Sequence, residues 1–236
     1  YAANLPLVPV HHLEAHIYAN WLVSSDIEFP VVCLVVSGGH SYLIYMTGHG
    51  KYEILARTRA DAAGEAFDKC ARAMGLGYPG GPIIDKLAVE GNPRAVAFPR
   101  AKVGDTLDFS FSGLKTAVIR YVEGADGRVA LPDLAASFQQ AVIDVLVDHT
   151  FRAAREKGVG RVLMAGGVAA NSGLQSAVKA RGRELGIAVG APPPILCTDN
   201  AAMVASAAYF AYARGELAGL DLDCYASEPI GKRRSA

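Results

Sequence analysis

Apolar residues recur at helical spacing from about His12 to Ser24, and then the pattern changes. FPVVCLVVSGGHS is a short β-branched run closed by Gly38 and Gly39, and YLIYMTG and KYEILART follow as two more strand candidates across Gly-containing turns. DAAGEAFDKCARAMG returns to helical spacing and stops at the GLGYPGG loop, after which Pro82 restarts a helix at IIDKLAVEG. A loop carrying FSFSG leads into LKTAVIRYVEG, and a long amphipathic helix spans about Pro132 to Lys157. RVLMAGG is a buried strand that again ends in paired glycines. A helix through ANSGLQSAVKARGRELG, the stretch IAVGAPPPILC and a last helix over about Asn200 to Arg214 complete the order. Three strands in succession cannot open an all-parallel doubly wound sheet. The pattern predicts an α/β fold with a mixed sheet, antiparallel at its start and surrounded by helices, which is the plan of ribonuclease-H-like lobes. There is no internal repeat and no low-complexity segment.

Composition narrows the classes. Of 236 residues, 51% are apolar and 19% charged, ample for a buried core and unlike a disordered chain. Lys plus Arg and Asp plus Glu both total 23, so no global positive field attracts a polyanion, and any such partner must be held by local patches. Arg152, Arg155 and Lys157, then Lys179, Arg181 and Arg183, then Lys232, Arg233 and Arg234 are candidates, though each alone reads as a solvated helix face or a basic tail. Cys33, Cys70, Cys197 and Cys224 show no C-x-x-C spacing, which predicts buried reduced thiols and a cytoplasmic location. No apolar run is long enough to cross a bilayer, so no membrane partner is expected. The opening YAANLPLVPV reads as the middle of something, and an upstream segment is expected.

Candidate chemistry begins at HHLEAH. On a helix, His12 and His16 stand about 40° apart around the axis, close enough to reach one metal ion, whereas Glu14 lies about 200° from His12. A zinc-protease helix needs its Glu directly after the first His, so that geometry fails at its base. His11 points elsewhere and reads as a surface or helix-start residue. A pair of histidines still needs a distant carboxylate or another His to complete a site. VVSGGHS and RVLMAGGVAAN each place paired glycines after a buried strand, where backbone N–H groups can approach an anion, and two such turns favour a nucleotide held between them. Asn171 either caps the following helix or bonds a nucleotide. Asp61 reads as an N-cap with Gly64 allowing close packing, while capping does not explain Asp68. Asp85, placed in the first turn of its helix, answers either the helix dipole or ribose hydroxyls. Ser110, Ser112 and Lys115 bind phosphate or merely cap. Asp199 stands just before a helix, a cap or a metal carboxylate.

Taken together, HHLEAH, VVSGGHS, DAAGEAFDKCARAMGLGYPGGP, DFSFSGLKTA, GGVAAN and CTDNAAM, in this order, closely resemble the bacterial tRNA threonylcarbamoyladenosine transferase family, earlier labelled O-sialoglycoprotein endopeptidase or glycoprotease. The resemblance spans nearly the whole chain and implies the actin-like ATPase fold of two lobes, the first incomplete here. Residues 1–28 would be a remnant of that lobe with the metal-binding helix, 29–197 the second lobe, and 198–236 a C-terminal helix returning to the cleft. It implies that His12, His16 and Asp199 hold one divalent metal ion, iron or zinc. Val35, Val36, Ser37, Gly38 and Gly39 would form the substrate turn, and Asp68, Gly81, Asp85 and Asn171 would contact an adenylate, either threonylcarbamoyl-AMP or an ATP/ADP-like ligand. The implied reaction moves the threonylcarbamoyl group from threonylcarbamoyl-AMP to the exocyclic amine of the adenosine beside the anticodon in tRNA, with Asp68 the candidate to take the amine proton. The implied partners are tRNA, a non-catalytic paralogue subunit, an accessory ATPase and threonylcarbamoyl-AMP synthase.

Two departures stand out. Nothing corresponds to the family's N-terminal lobe, so the chain is expected to be inactive alone. Gln175 occupies a place where a basic residue is usual. The competing readings are a non-catalytic scaffold paralogue, a metallo-endopeptidase, and a sugar-kinase or heat-shock-type ATPase.

Overall fold

The computed structural model describes residues 2–100, 103–124, 130–225 and 228–231. The chain begins with α1 (His12–Tyr18), prolonged by a 3-10 turn over Ala19–Leu22. Then come β1 (Val31–Val36), β2 (Ser41–Gly48), β3 (Lys51–Ala56) and β4 (Thr58–Ala60). Helices α2 (Ala63–Ala73) and α3 (Gly80–Ala88), strand β5 (Phe109–Ser110), and helices α4 (Ser112–Gly124) and α5 (Leu131–Glu156) follow. The remainder is β6 (Arg161–Ala165), a 3-10 turn over Gly167–Ala170, α6 (Ser172–Leu185), β7 (Ala188–Gly190), the short α7 (Pro194–Cys197) and α8 (Ala201–Ala213).

The main sheet has the order β3-β2-β1-β6-β7, with β1–β2 and β2–β3 antiparallel and β1–β6 and β6–β7 parallel. This is the mixed sheet that the three opening strands predict. Strand β1 is central and fully buried, so both of its faces are apolar, and its alternation divides the core. Val32, Leu34 and Val36 join α2 and α5 in one cluster, while Val31, Cys33 and Val35 face Leu13 and Ile17 of α1 in another. The 26-residue α5 backs the first face with Phe138, Val142 and Leu146, all wholly buried. Truncating a buried Phe such as Phe138 to Ala costs about 3–5 kcal/mol, so this helix is a main anchor of the core.

Some boundaries differ from the sequence expectation. Helix α3 starts at Gly80 rather than Pro82, because the Gly80 N–H has a partner, the Asp68 carboxylate, at 2.8 Å. The β4–β5 pair escapes prediction altogether: two and three residues carry too little periodicity, and the pairing joins Thr58 to Phe109. Cys33, Cys70 and Cys197 are buried as expected, but Cys224 is exposed, because the segment after α8 packs little of its surface. Burial pushes the Cys70 thiol up to about 12 and the Cys197 thiol up to about 11. Among the described residues, no helix is long and apolar enough to cross a membrane.

Candidate active site

The paired-glycine turns become neighbours because β1 and β6 are parallel and adjacent, with Val35 opposite Ala165. Both strands end at the same sheet edge, the place where parallel strands leave a crevice. Gly166 has φ +89°, and a Cβ there would stand 2.3 Å from the Val36 carbonyl oxygen, so only glycine lets the second turn lie this close to the first. At the first turn the Ser37 N–H donates to the His40 carbonyl at 2.8 Å, which reverses the chain into β2 and leaves Gly38 and Gly39 exposed.

Helix α2 closes onto this turn from the side. The Gly64 N–H donates to the Ser37 carbonyl at 3.3 Å and the Ala63 N–H to the Ser41 Oγ at 3.0 Å. Asp61 is not the cap: Ala62 takes that position without a side-chain bond, and Asp61 adopts φ +42°. Its carboxylate instead gathers the Lys69 and Lys115 ammonium groups at 2.7 and 2.6 Å and the Ser112 hydroxyl at 2.6 Å, tying the FSFSG segment to α2. Burial acts to raise its pKa, yet these donors outweigh it and hold the carboxyl well below the usual range. Ser112 and Lys115 thus have an internal partner.

The other predicted carboxylates also have structural partners. Asp68 accepts from the Gly80 N–H at 2.8 Å and so fixes the start of α3. Asp85 lies in the middle of α3, not in its first turn, and it faces a different helix. It takes the Ser172 N–H and hydroxyl at 2.8 and 3.0 Å, at the N-terminus of α6. Asn171 is the N-cap of α6, accepting from the Leu174 N–H at 2.8 Å while donating to Gln139 at 2.7 Å. Gln175 donates to the Ala169 carbonyl at 2.9 Å and reaches the Pro192 carbonyl at 3.4 Å, steadying the proline-rich segment before α7. Gly81 has no atom within 4 Å of where a Cβ would project, so its surface is open.

His12, His16 and Asp199 converge. The two Nε2 atoms lie 3.5 and 3.2 Å from Asp199 Oδ1, and one donor atom from each residue lies within 4.8 Å of the others. His11 caps α1 by accepting from the Leu13 N–H, which aims the next two histidines along one face. Asp199 is presented one residue ahead of Asn200, the residue that caps α8. His16 is almost fully buried and its Nδ1 has no hydrogen-bond partner. Burial first, and then the His12 charge, lower its pKa against the pull of Asp199, which favours the neutral imidazole that a metal requires. Two imidazoles and an exposed carboxylate fit a divalent iron or zinc ion with open positions.

His40 belongs to this neighbourhood although the sequence reading gives it no role. Burial lowers its pKa, and so do the nearby His12 and His11. Its signal was its place directly after the paired glycines. The basic clusters are largely spoken for: Lys157 meets Glu53 at 2.7 Å, Arg181 meets Glu184 at 2.9 Å and Arg152 approaches Asp148 at 3.9 Å. Lys232, Arg233 and Arg234 lie outside the described residues.

Comparison with known proteins agrees with this layout. The chain superposes on full-length HypF in its phosphate- and nucleotide-bound form with a TM-score of 0.70, at 13% identity over 88% of this chain and 43% of that one. Component A of the (R)-2-hydroxyglutaryl-CoA dehydratase of Acidaminococcus fermentans gives 0.54, at 17% identity over 86% and 68% of the two chains. At such identities the likeness establishes the fold, which is the actin-like ATPase fold. In sequence, the chain is 52% identical to the tRNA N6-adenosine threonylcarbamoyltransferase of Clostridium kluyveri, over 99% of this chain and 70% of the relative. It is 55% identical to the enzyme of the same name from Symbiobacterium thermophilum, over 98% and 68%. The profile described as TsaD, tRNA N6-adenosine threonylcarbamoyltransferase, matches residues 1–206, and the chain belongs to that family.

Proposed function

We propose that this chain is a transferase that moves the threonylcarbamoyl group from threonylcarbamoyl-AMP to the exocyclic amine of the adenosine beside the anticodon in tRNA. The observation that carries this reading is the meeting of His12 and His16, on one helix, with Asp199 from far along the chain. The amine nitrogen bonds to the carbamoyl carbon, the bond from that carbon to the phosphate oxygen breaks, AMP leaves, and the amine gives up a proton.

In this reading His12, His16 and Asp199 hold one divalent ion, iron or zinc, which when bound supplies Lewis-acid polarisation of the carbonyl and charge neutralisation at the phosphate. The turn from Val35 and Val36 through Ser37, Gly38 and Gly39 lies against the phosphate, with Gly38 and Gly39 exposed and carrying no side chain to obstruct the approach. Gly81, Asp85 and Asn171 border the adenosine half. Asp68, with Oδ1 engaged by Gly80, has Oδ2 to accept a substrate proton. An exocyclic adenine amine is a weak nucleophile, so positioning and activation of the acyl carbon dominate over a strong base. Residues 29–197 form one wall of the site, and residues 1–28 and 198–236 supply the ligand-bearing segments. Threonylcarbamoyl-AMP synthase provides the substrate, and a paralogue subunit and an accessory ATPase complete the assembly, in the cytoplasm.

A peptidase of the two-histidine helix type would need a free carboxylate base beside the ion, and Glu14, about 200° from His12 around α1, is buried. The test supplies the full-length protein and its partners with threonine, bicarbonate, ATP and unmodified tRNA, and reads digested nucleosides by mass. Threonylcarbamoyladenosine that disappears with His12→Ala supports the reading. No product from a folded, metal-loaded protein defeats it.

A further inference from the structure

Asn171 joins two elements of the site. Its N–H donates to the Val168 carbonyl at 3.0 Å, closing the 3-10 turn that follows the second glycine pair, and its side chain caps α6. That side chain is an amide with one accepting and one donating end, so what it offers a ligand depends on what holds each end. The Leu174 N–H, 2.8 Å from Oδ1, is a backbone donor and cannot reverse its role, so Nδ2 is the end left to donate. One Nδ2 hydrogen goes to Gln139 Oε1 at 2.7 Å. The other is uncommitted among the described residues.

Gln139 is a core residue of α5, 7% exposed. Three other polar side chains buried on this helix serve backbone groups. Ser137 donates to the Asn92 carbonyl and accepts the Val96 N–H, His149 meets the Leu107 carbonyl, and Thr150 donates to Leu146 one turn back. Gln139, alone of these four, bonds a side chain of the candidate site. Its own amide is held in one sense: turned over, it would set Nε2 against Asn171 Nδ2, two donors face to face. Gly173 makes room for Nε2, since a Cβ there would stand 2.8 Å from it. Gln139 and Asn171 thus form a short relay whose polarity is set by the Leu174 N–H.

We propose that Gln139 is a positioning residue for the adenylate: by accepting from Asn171 Nδ2 it locks the Asn171 amide so that a hydrogen, not a lone pair, is offered to an acceptor atom of the nucleotide. This rests on the reading of Asn171 as an adenylate contact. Without the Gln139 acceptor the buried Nδ2 loses its partner, the Leu174 N–H alone holds the amide, and nucleotide binding must fix what the fold no longer fixes.

The test uses the full-length protein and ADP as the probe, with Kd read by calorimetry beside the melting temperature of each variant. Gln139→Met keeps the reach of the side chain but removes both polar ends, and it raises the Kd about 10-fold. Gln139→Glu retains an accepting oxygen in either protonation state and stays within about 2-fold of the parent. A Gln139→Met protein that melts earlier but binds ADP as tightly as the parent overturns the positioning role, and so does a Gln139→Glu protein as weak as Gln139→Met. Should Gln139→Met fail to fold, Gly173→Ala takes its place: the new methyl displaces the Gln139 amide without altering it, and an unchanged Kd is the contrary result. A parent protein that binds no ADP, or an Asn171→Ala variant that binds it as well as the parent, defeats the adenylate reading itself, a separate outcome.

Discussion

Gly64→Ala separates local preference from tertiary constraint with one methyl group. Gly64 lies in the first turn of α2, where alanine is the better helix former by about 0.5–1 kcal/mol, so propensity alone makes the substitution stabilising. The surroundings reverse the sign. An added Cβ would stand 2.6 Å from the Ser37 carbonyl oxygen, 2.8 Å from Gly38 Cα and 2.9 Å from the Ser37 carbonyl carbon. All three are backbone atoms, so no rotamer change relieves them. Ordinary contact begins at 3.4 Å, and α2 and the glycine turn must part by most of an ångström to reach it. That movement stretches the Gly64-to-Ser37 hydrogen bond, already 3.3 Å long. Overpacking costs about 1–3 kcal/mol and the weakened bond about 0.5–1, so after the helix gain the net loss is about 1–3 kcal/mol. In a domain of this size the melting temperature falls by about 3–10 °C. A shift of about 1 Å at a substrate turn costs up to about 100-fold in activity. Thermal melting and the nucleoside assay are run beside Gly113→Ala on α4, where no atom lies within 4 Å of the new methyl and a small stabilisation is expected. A Gly64→Ala protein that melts no lower than the parent and transfers at the parental rate refutes the reasoning.

Asp61→Asn lowers stability at neutral pH by about 2–3 kcal/mol, since it removes the charge that gathers Lys69, Lys115 and Ser112, and Asn accepts the positive φ. Because the folded carboxyl is held low, its stabilisation is complete above the unfolded pKa of about 3.9 and drains as pH falls towards the folded value. The gap in melting temperature between parent and variant must therefore narrow below about pH 4, and a gap constant from pH 7 to 3 contradicts the assignment. Gly166→Ala combines φ +89° with a Cβ 2.3 Å from the Val36 oxygen, and it costs at least about 3 kcal/mol; a melting temperature within 2 °C of the parent, about a 1 kcal/mol change, is the contrary result. Asp85→Asn weakens the start of α6 by about 1 kcal/mol, and a larger loss of nucleotide affinity than of stability would separate an adenylate contact from a cap. Of four cysteines, one, Cys224, reacts with a thiol reagent in the native protein and all four react in denaturant; a second fast thiol contradicts the burial of Cys33, Cys70 and Cys197.

Much of the site is legible in the residues themselves. The His12 and His16 spacing follows from helix geometry, and the two glycine pairs follow from abrupt ends of β-branched runs. Of the two roles left open for Asn171 by its place before a helix, the cap is the one seen. Asp61 and Asp85 were harder, because an acidic residue near a helix start has a cheap local explanation. In both cases the actual partner comes from another segment: Lys115 for Asp61, Ser172 for Asp85.

The sequence alone determined the elements, their order, the mixed sheet and the residue types able to hold a metal, because periodicity, turn chemistry and donor identity are local properties. Tertiary structure decided which of them meet. Pairing of β1 with β6 crosses more than a hundred residues and puts two paired-glycine turns at one sheet edge. The packing of α8 on α1 delivers Asp199 to the histidines. No local pattern encodes these contacts: they arise only when apolar faces are matched and buried polar groups must find partners.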